Sequence, residues 1–190
     1  SFALSQYCLK YGGHPDQVGP FVLNQHRNGR MAPWGFYVNN ESYVINEEDY
    51  VNSRYILRPL RLWDCDRPVN TVTAYLFTTA ERAKDMKQKP VYVLGHTTTQ
   101  PPARSLMHTL EEEEAAAAST GRKLPEAAGI SYKDYSFENM YDGYAMFHLI
   151  HVEGLGFANL QRGDGLDLFE YGNISNEGPH PINPSGGNIG

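Results

Sequence analysis

The sequence predicts an α/β fold, because strand-like and helix-like segments alternate along its 190 residues. Residues 69–79 are β-rich and largely apolar in their second half, as expected for a central strand. Residues 90–96 form a second apolar run of the same kind, and helical patterns follow both segments. A third apolar run, 145–152, has the composition of a buried helix. This alternation is typical of a sheet with helices packed against it.

The composition argues against several classes of protein. A hydrophobic content of 41% is enough for a core, and a net charge of −6 without a run of Lys or Arg argues against nucleic acid or an anionic membrane as the main partner. Two cysteines do not make a disulfide scaffold, so a reducing cytoplasm is the expected location. No stretch approaches the roughly 20 apolar residues of a membrane span. Both ends lie inside local patterns, so we expect a longer protein.

The first 62 residues predict three helices and an aromatic loop. Residues 1–11 show mixed helical spacing that ends at a glycine pair, and residues 14–28 form a second helix with Pro in its first turn. Residues 31–46 are irregular and rich in aromatic side chains, as in loops that line a cleft or an interface. A third helix, 47–53, has an acidic first turn with Asn46 as its predicted cap.

The middle of the chain adds further helices. Residues 80–86 predict a short helix capped by Thr78 or Thr79. From about Arg104 a helix runs through the glutamate and alanine block 111–118 and ends at Gly121, and a separate short helix follows over 124–129. We interpret the four glutamates as a solvated face rather than as a paired-carboxylate site.

One cysteine lies between two acidic residues, Asp64 and Asp66. No His or second Cys stands at ligand spacing, so we reject a metal site. Cys65 has no local base that would make it a nucleophile, and structural burial is the favoured interpretation.

The candidate site precedes the buried helix. A polar, aromatic segment, 135–144, leads into the apolar run. A helix over 141–152 would place four polar-tipped side chains on one stripe: Tyr141, Tyr144, His148 and His151. Such groups on an apolar helix need partners. They are either satisfied core groups, which the residue pattern alone favours, or the wall of an active site.

Several motifs in sequence order resemble the thiolase superfamily. They are Tyr-Asp-Gly-Tyr at 141–144 before a helix, Glu-Gly-Leu-Gly-Phe at 153–157, Gly-Asp-Gly at 163–165 and Pro-Ile-Asn-Pro-Ser-Gly-Gly at 181–187. The pattern is most similar to the thiolase-like lipid-transfer proteins, the branch of sterol-carrier-type thiolases and bacterial steroid side-chain aldolases. Each motif is weak alone, and their order makes the resemblance specific.

The resemblance implies a thiolase-like layered αβαβα fold that is present in part. Segments 11–17 and 53–60 are similar to the beginning and the end of the thiolase loop domain, which would occupy residues 1–62. Residues 63–88 would be the last strand and helix of the N-terminal half. Residues 89–190 would be an incomplete C-terminal half.

The resemblance also implies catalytic residues. Thiolases carry Asn or His where this chain has Tyr141, and a Tyr there is similar to the aldolase branch, which cleaves a β-hydroxyacyl-CoA by a retro-aldol reaction. That reaction needs a base, an acid and donors for the developing oxyanion. Tyr141 is the predicted acid/base. A free phenol has a pKa of about 10, so a role as base requires surroundings that lower this pKa. Asp142 orients the helix start or, as a second choice, accepts a proton. His148 and His151 are interpreted as structural.

The predicted substrate-binding residues flank this position. Tyr144 would be a pocket wall, and Asn183 with the glycine pair Gly186 and Gly187 would bring backbone close to the thioester. Coenzyme A is implied only as part of the substrate, with no covalently bound cofactor and no metal. The implied partners are the acyl-CoA substrate, a second copy in a homodimer and a small OB-fold, zinc-ribbon protein that helps to hold coenzyme A.

Three functions stay open on the sequence. The family's nucleophilic Cys would lie upstream of residue 1, since neither Cys8 nor Cys65 matches its position, and its His would lie beyond Gly190. The first function is an acyl-CoA carbon–carbon lyase for a bulky, sterol-like β-hydroxyacyl-CoA. The second is a sterol-carrier-type thiolase or acyltransferase whose Cys lies outside this chain. The third is a non-catalytic acyl-CoA or lipid-binding subunit.

Overall fold

The computed structural model describes residues 2–38, 40–100, 109–170 and 172–190. The α-helices of these residues are α1 (Phe2–Tyr11), α2 (Gly19–Met31), α3 (Glu47–Val51), α4 (Ala80–Ala83), α5 (Leu110–Ala128), α6 (Ala145–Leu155) and α7 (Gly165–Leu168). Strands β1 (Tyr55–Leu57) and β2 (Leu60–Arg61) pair antiparallel. One hydrophobic core joins α1, α2, α5, α6 and α7 with the C-terminal segment.

The N-terminal helices follow the predicted pattern. α1 ends at the glycine pair, whose members Gly12 and Gly13 have φ of 87° and 94°. The predicted second helix is a 3-10 turn, Pro15–Val18, followed by α2. Its predicted inner face is buried as expected: Val18, Phe21, Val22 and Gln25. α2 thus presents a partly polar face to the core.

The third helix and the hairpin pack beside α2. Asn46 caps α3 by accepting the Asp49 N–H at 3.0 Å, which confirms the predicted cap. After the hairpin, the Arg61 guanidinium donates to both carboxylate oxygens of Asp16, at 2.6 and 3.0 Å. Tyr50 donates to Asp64 at 2.8 Å. The Arg61 contacts tie the hairpin to the 3-10 turn before α2, and the Tyr50 contact ties α3 to the segment after the hairpin.

The strands predicted over 69–79 and 90–96 are not formed, so that prediction is wrong for this structure. Val72 and Val91 are 97% and 95% exposed, and no strand among the described residues pairs with either segment. A strand buries its faces only when neighbouring strands and helices cover it, and none does so here. The helix after the first segment, α4, does form, and Thr79 caps it as predicted.

α5 is one continuous helix, so the predicted end at Gly121 and the separate helix over 124–129 are wrong. α6 crosses α5 at this glycine, where a Cβ would collide with the carbonyl of Gly154. The glycine is therefore used for close packing rather than for termination. α5 ends at Gly129, which has φ of 67°. The predicted start near Arg104 lies outside the described residues.

The glutamate block of α5 is only partly solvated. Glu114 is buried and accepts hydrogen bonds from the Lys10 ammonium at 2.7 Å and from the Tyr11 hydroxyl at 2.8 Å. The prediction of a fully solvated face is therefore wrong at this position, because α1 packs against it.

α6 begins at Ala145, so Tyr141 stands in the loop before the helix and not in its first turn. Tyr144 is the N-cap residue, and Gly156 ends the helix with φ of 64°. Within the part of the chain that the structure describes, no helix is both long and apolar enough to cross a membrane.

Candidate functional site

Two neighbouring extended segments run parallel and end at the same place. The Glu138 N–H donates to the Pro181 carbonyl at 3.0 Å, and the Asn183 N–H donates to the Glu138 carbonyl at 2.8 Å. One segment continues into residues 141–144, here called the corner. The other continues into residues 183–190, here called the terminal turn. Ligands of α/β folds bind beyond the carboxyl ends of parallel strands, so this edge is the place to seek a site.

Tyr141 is the more exposed of the two exposed residues of the corner, with 60% of its surface accessible against 41% for Tyr144. Its ring lies over Gly143, where a Cβ would collide with the Tyr141 hydroxyl. The phenol therefore depends on a glycine two residues later for its position. Tyr141 lines a cavity of about 340 Å³ between the corner, α5 and α6.

The cavity combines an apolar wall with polar groups that converge on it. The apolar lining comes from the residue before the corner and from the two helices: Met140, Ala116, Ala117 and Leu155. The polar lining residues are Thr99, Glu113, Thr120, Tyr141 and His151. Binding sites for small molecules commonly have this make-up, with volumes of roughly 300–1,000 Å³. The sequence-predicted Tyr141 is thus brought together with two groups that can carry a proton, Glu113 and His151.

Asp142 faces away from this cavity. It is buried under the terminal turn, and its carboxylate accepts the Asn188 N–H at 2.5 Å. Burial raises the pKa of the Asp142 carboxyl, and the hydrogen bond from the Asn188 N–H opposes that rise. The geometry makes Asp142 a tie between the corner and the terminal turn. Its predicted second-choice role as proton acceptor stays a prediction.

The predicted substrate-binding glycines lie in the terminal turn. Gly186 has φ of 100° and backs onto α2, where a Cβ would meet the backbone of Gly29. Gly187 has φ of 66° and lies over the side chains of Asp142 and Asn183. Asn183 is fully buried, and its carbonyl accepts the Asn28 amide at 3.2 Å. These three residues are brought together with Asp142, and not with the cavity of Tyr141.

Tyr144 and the cysteines also lie outside the cavity lining. The Tyr144 ring packs edge-on against Phe147 at 5.8 Å, and its backbone pairs with Cys65. Cys65 is half-buried, with its sulfur 3.6 Å from the Arg61 carbonyl, and Cys8 is half-buried as well. Burial raises the pKa of both thiols, which disfavours the thiolate that a nucleophile needs.

The two histidines of α6 have different surroundings. His148 is fully buried, with its Nε2 2.6 Å from a Glu138 carboxylate oxygen and its ring stacked on Phe21 at 4.6 Å. Its interpretation as a structural group fits this burial. His151 is half-buried and lines the cavity. Burial, and to a lesser extent His148, lower its pKa.

The sequence pattern led us to interpret His151 as structural, whereas the structure places it in the cavity lining. The signal was the predicted stripe, which contained both Tyr141 and His151. The stripe also contained Tyr144 and His148, which the structure does not place in the cavity. Glu113 was missed for another reason, because a run of four glutamates hides which one faces inward.

Comparison with known proteins agrees with these motifs. Residues 98–190 match the model of the thiolase C-terminal domain-like family. The 17-hydroxy-3-oxo-4-pregnene-20-carboxyl-CoA lyase of Mycobacterium tuberculosis is 34% identical over 150 residues, which are 77% of this chain and 38% of that protein. The steroid side-chain-cleaving aldolase of Thermomonospora curvata is 25% identical over 189 residues, 97% of this chain and 47% of that protein. The chain thus spans less than half of either relative.

A solved structure has the same fold. The Ltp2-ChsH2(DUF35) aldolase superposes with a TM-score of 0.82 over 98% of this chain and 49% of its own, at 23% sequence identity. At that identity the likeness concerns the fold.

Proposed function

This chain belongs to the thiolase superfamily, and we propose that its protein is an acyl-CoA carbon–carbon lyase of the aldolase type. Its reaction is the retro-aldol cleavage of a bulky, sterol-like β-hydroxyacyl-CoA, and Tyr141 acts as an acid/base. The names of the two relatives support the reaction class. The observation that carries the proposal is that Tyr141 lines the cavity at the corner.

The chemistry places specific demands on this cavity. Cleavage of the bond between the α and β carbons removes the β-hydroxyl proton, forms a thioester enolate and ends with protonation of that enolate. Tyr141 is exposed at the cavity and carries a transferable proton at the end of a ring that Gly143 accommodates. Neither Cys8 nor Cys65 lines the cavity, so the acyl transfer of a thiolase would need a nucleophile from elsewhere.

The walls suit a partly hydrocarbon substrate. The cavity that Tyr141 lines has apolar surface from four residues: Ala116, Ala117, Met140 and Leu155. Such a surface fits a bulky acyl group, while Tyr141 meets its polar β-carbon. We propose coenzyme A as the handle of the substrate, with no covalently bound cofactor.

The remaining expectations belong to the same proposal. The solved aldolase is named for two components, which supports a partner protein for this one. We propose a small OB-fold, zinc-ribbon protein that helps to hold coenzyme A, together with a homodimer of the thiolase-like chain and a location in the cytoplasm. The substrate side of the corner would then be supported by the residues packed under the terminal turn: Asp142, Asn183, Gly186 and Gly187.

The test is the cleavage of steroidal and short-chain β-hydroxyacyl-CoA by the complete protein, with the ketone and the shorter acyl-CoA quantified by mass spectrometry. Tyr141→Phe removes only the hydroxyl, and we expect kcat to fall about 10²- to 10⁴-fold. The matched control is Tyr132→Phe, because Tyr132 lies in the 3-10 turn Tyr132–Asp134 outside the cavity lining. This control should keep the wild-type rate.

The other functions give different outcomes in the same assay. Unchanged cleavage in Tyr141→Phe would refute the role of the phenol. Transfer of an acyl group to free coenzyme A without retro-aldol cleavage would indicate a thiolase. Acyl-CoA binding in calorimetry without turnover would indicate a non-catalytic subunit.

A further inference from the structure

Gly143 of the corner has no left-handed backbone that would explain why it is a glycine. Its φ lies outside the left-handed region, whereas Gly186 and Gly187 of the terminal turn have φ of 100° and 66°. A residue with a side chain would therefore meet no left-handed strain at this position. Gly143 is also buried, so the reason for the glycine has to be sought in what lies against its α-carbon.

The Tyr141 ring occupies the space that a side chain at position 143 would fill. A Cβ on Gly143 would collide with the hydroxyl oxygen and with Cζ of Tyr141, and it would lie 2.8 Å from Cε1. Carbon atoms in contact are normally about 3.5–4.0 Å apart. The three atoms nearest to such a Cβ all belong to the phenol end of the ring. The missing side chain thus makes room for the hydroxyl group.

The backbone under this ring is held more firmly than the ring itself. The Gly143 carbonyl accepts the Asp66 N–H at 3.1 Å. The preceding residue, Asp142, accepts the Asn188 N–H at 2.5 Å. The Tyr141 side chain is 60% exposed, and an exposed ring can change its rotamer at little cost. A Cβ at position 143 would therefore displace the phenol and leave the backbone in place.

Gly143 differs in this respect from the glycines that serve helix packing. A Cβ on Gly121 would meet the backbone of Gly154, where α5 and α6 cross. Such a collision has to be relieved by a movement of the helices, which affects the fold. At Gly143 the colliding atoms are the far end of one side chain, so the movement affects only Tyr141.

The place of the hydroxyl matters because a proton is transferred over hydrogen-bond distances. A group that exchanges a proton with a substrate must come within about 2.6–3.2 Å of the atom concerned. To reach an ordinary contact distance from a Cβ at position 143, the Tyr141 hydroxyl would have to move by about 1 Å. A misplacement of about 1 Å can lower a rate about 10²-fold.

We propose that Gly143 is a positioning residue for the Tyr141 phenol, because its bare α-carbon fixes the place from which the hydroxyl meets the substrate. This inference rests on the proposed function and adds to it a residue that acts through Tyr141. The effect of a side chain at position 143 should therefore disappear when the hydroxyl is absent.

The experiment is a double-mutant cycle in the complete protein. Gly143→Ala should lower kcat for retro-aldol cleavage by about 10- to 10²-fold, with KM within about threefold of wild type. In the Tyr141→Phe background, the same substitution should change the residual rate by less than about twofold, because the two substitutions act on one group. The melting temperature of Gly143→Ala should match that of wild type.

A matched control is Gly165→Ala, a glycine substitution that crowds the core instead of Tyr141. A Cβ on Gly165 would lie 2.5 Å from Cδ1 of Leu149 and 2.9 Å from Oε1 of Glu153. Overpacking of this kind destabilises the fold. The control should lower the melting temperature and keep the wild-type kcat, which is the opposite of the pattern expected for Gly143→Ala.

Each contrary kinetic result identifies what fails. If Tyr141→Phe is slow but Gly143→Ala keeps the wild-type rate, the positioning role is refuted and the proposed function stands. An equal loss of rate in the wild-type and Tyr141→Phe backgrounds would also refute that role, because the glycine would then serve something other than the phenol. If wild type cleaves no β-hydroxyacyl-CoA, the proposed function fails.

A measurement without turnover tests the contact itself. In the complete protein with protonated Tyr and Gly in a deuterated background, NMR should show a nuclear Overhauser effect between the Tyr141 ring and the Gly143 α-protons. The Tyr141 signals are identified by their loss in Tyr141→Phe. Absence of this effect would overturn the proposal. Its presence in a protein without activity would support the packing of the ring and refute its use in catalysis.

Discussion

The helix α6 and the segment 69–79 are both strongly apolar, yet they have opposite environments in this structure. Leu149 and Val152 of α6 are fully buried, whereas Val72 and Phe77 are largely exposed. The helix satisfies its own backbone hydrogen bonds and needs only side-chain packing from α2 and α5. The extended segment needs a neighbouring strand for its backbone and two layers for its faces.

An apolar sequence therefore predicts that a segment tends to be buried, but it does not show which other segment covers it. Residues 91–94 show the same behaviour, with large apolar side chains that remain exposed. Together the two segments border a second, wider cavity of about 1120 Å³ near α4. Apolar surface of this extent is typical of a region that another chain or segment covers.

The largest expected effect compares two phenylalanines, one from each environment. Phe21 is 0% exposed and stacks on His148 and Phe169, whereas Phe77 is 79% exposed. Phe21→Ala should lower the free energy of unfolding by about 3–5 kcal/mol, because it leaves a cavity in the core. Phe77→Ala should change it by less than about 0.5 kcal/mol. Urea unfolding of the complete protein measures both variants.

The comparison would be contradicted if Phe77→Ala lowered the free energy of unfolding as much as Phe21→Ala does. Such a result would mean that the segment 69–79 is covered in the complete protein. Limited proteolysis around residue 77 is an independent check, since a covered segment resists cleavage.

The sequence predicted much of the fold where the determinants are local. Asn46 and Thr79 cap helices as expected from their type, and the glycine pair after α1 stops that helix. The thiolase-like fold class is confirmed by the family match and the structural likeness. The end of α5 was misplaced because Gly121 has the residue type of a helix stop but serves a helix crossing, which only the position of Gly154 reveals.

The candidate site was predicted only at its first residue. Tyr141 follows from the motif that precedes a buried helix, and it does border the cavity. His148 and His151 are three residues apart, on the same side of α6, so periodicity could not separate them. What separates them is the element packed on each: Phe21 of α2 covers His148, and the cavity beside α5 leaves His151 accessible.

The second prediction sharpens the comparison within the well-packed region. A Cβ on Gly154 would collide with Ala117, because α5 and α6 cross there at close range. Overpacking lowers the free energy of unfolding by about 1–3 kcal/mol, whereas the higher helix propensity of alanine raises it by up to about 1 kcal/mol. Gly154→Ala should therefore lower the free energy of unfolding by up to about 2 kcal/mol in urea denaturation. The control is Gly156→Asn at the left-handed helix end, where a Cβ meets nothing within 4 Å.

That control separates crowding from backbone conformation. Asparagine tolerates the left-handed region, so Gly156→Asn should lower the free energy of unfolding by about 0.5 kcal/mol or less. If Gly154→Ala proves neutral while the control does not, the close crossing of α5 and α6 is not what holds the helices together.

The smallest expected effect concerns a buried carboxylate in the same region. Glu153 accepts hydrogen bonds from Tyr7, from the Gly163 N–H at 3.1 Å and from the Gly165 N–H at 2.9 Å. Burial nevertheless raises the pKa of its carboxyl above the ordinary 4.5, and the contact with Arg162 at 3.7 Å does not cancel that rise. The folded protein therefore holds this proton more tightly than the unfolded chain does.

The sign of the pH dependence follows from that difference. The protonated carboxyl favours the folded state below about pH 4.5, and this contribution is lost as pH rises through the higher pKa of the folded protein. Glu153→Gln keeps the acceptor oxygen and cannot titrate. Between pH 4 and 7, the stability of wild type relative to this variant should therefore fall, by about 1.4 kcal/mol for each unit of pKa shift. Glu126→Gln, on the exposed end of α5, should follow wild type at every pH. A wild-type stability that instead rises relative to Glu153→Gln would mean that the hydrogen bonds from Tyr7 and the glycines outweigh burial.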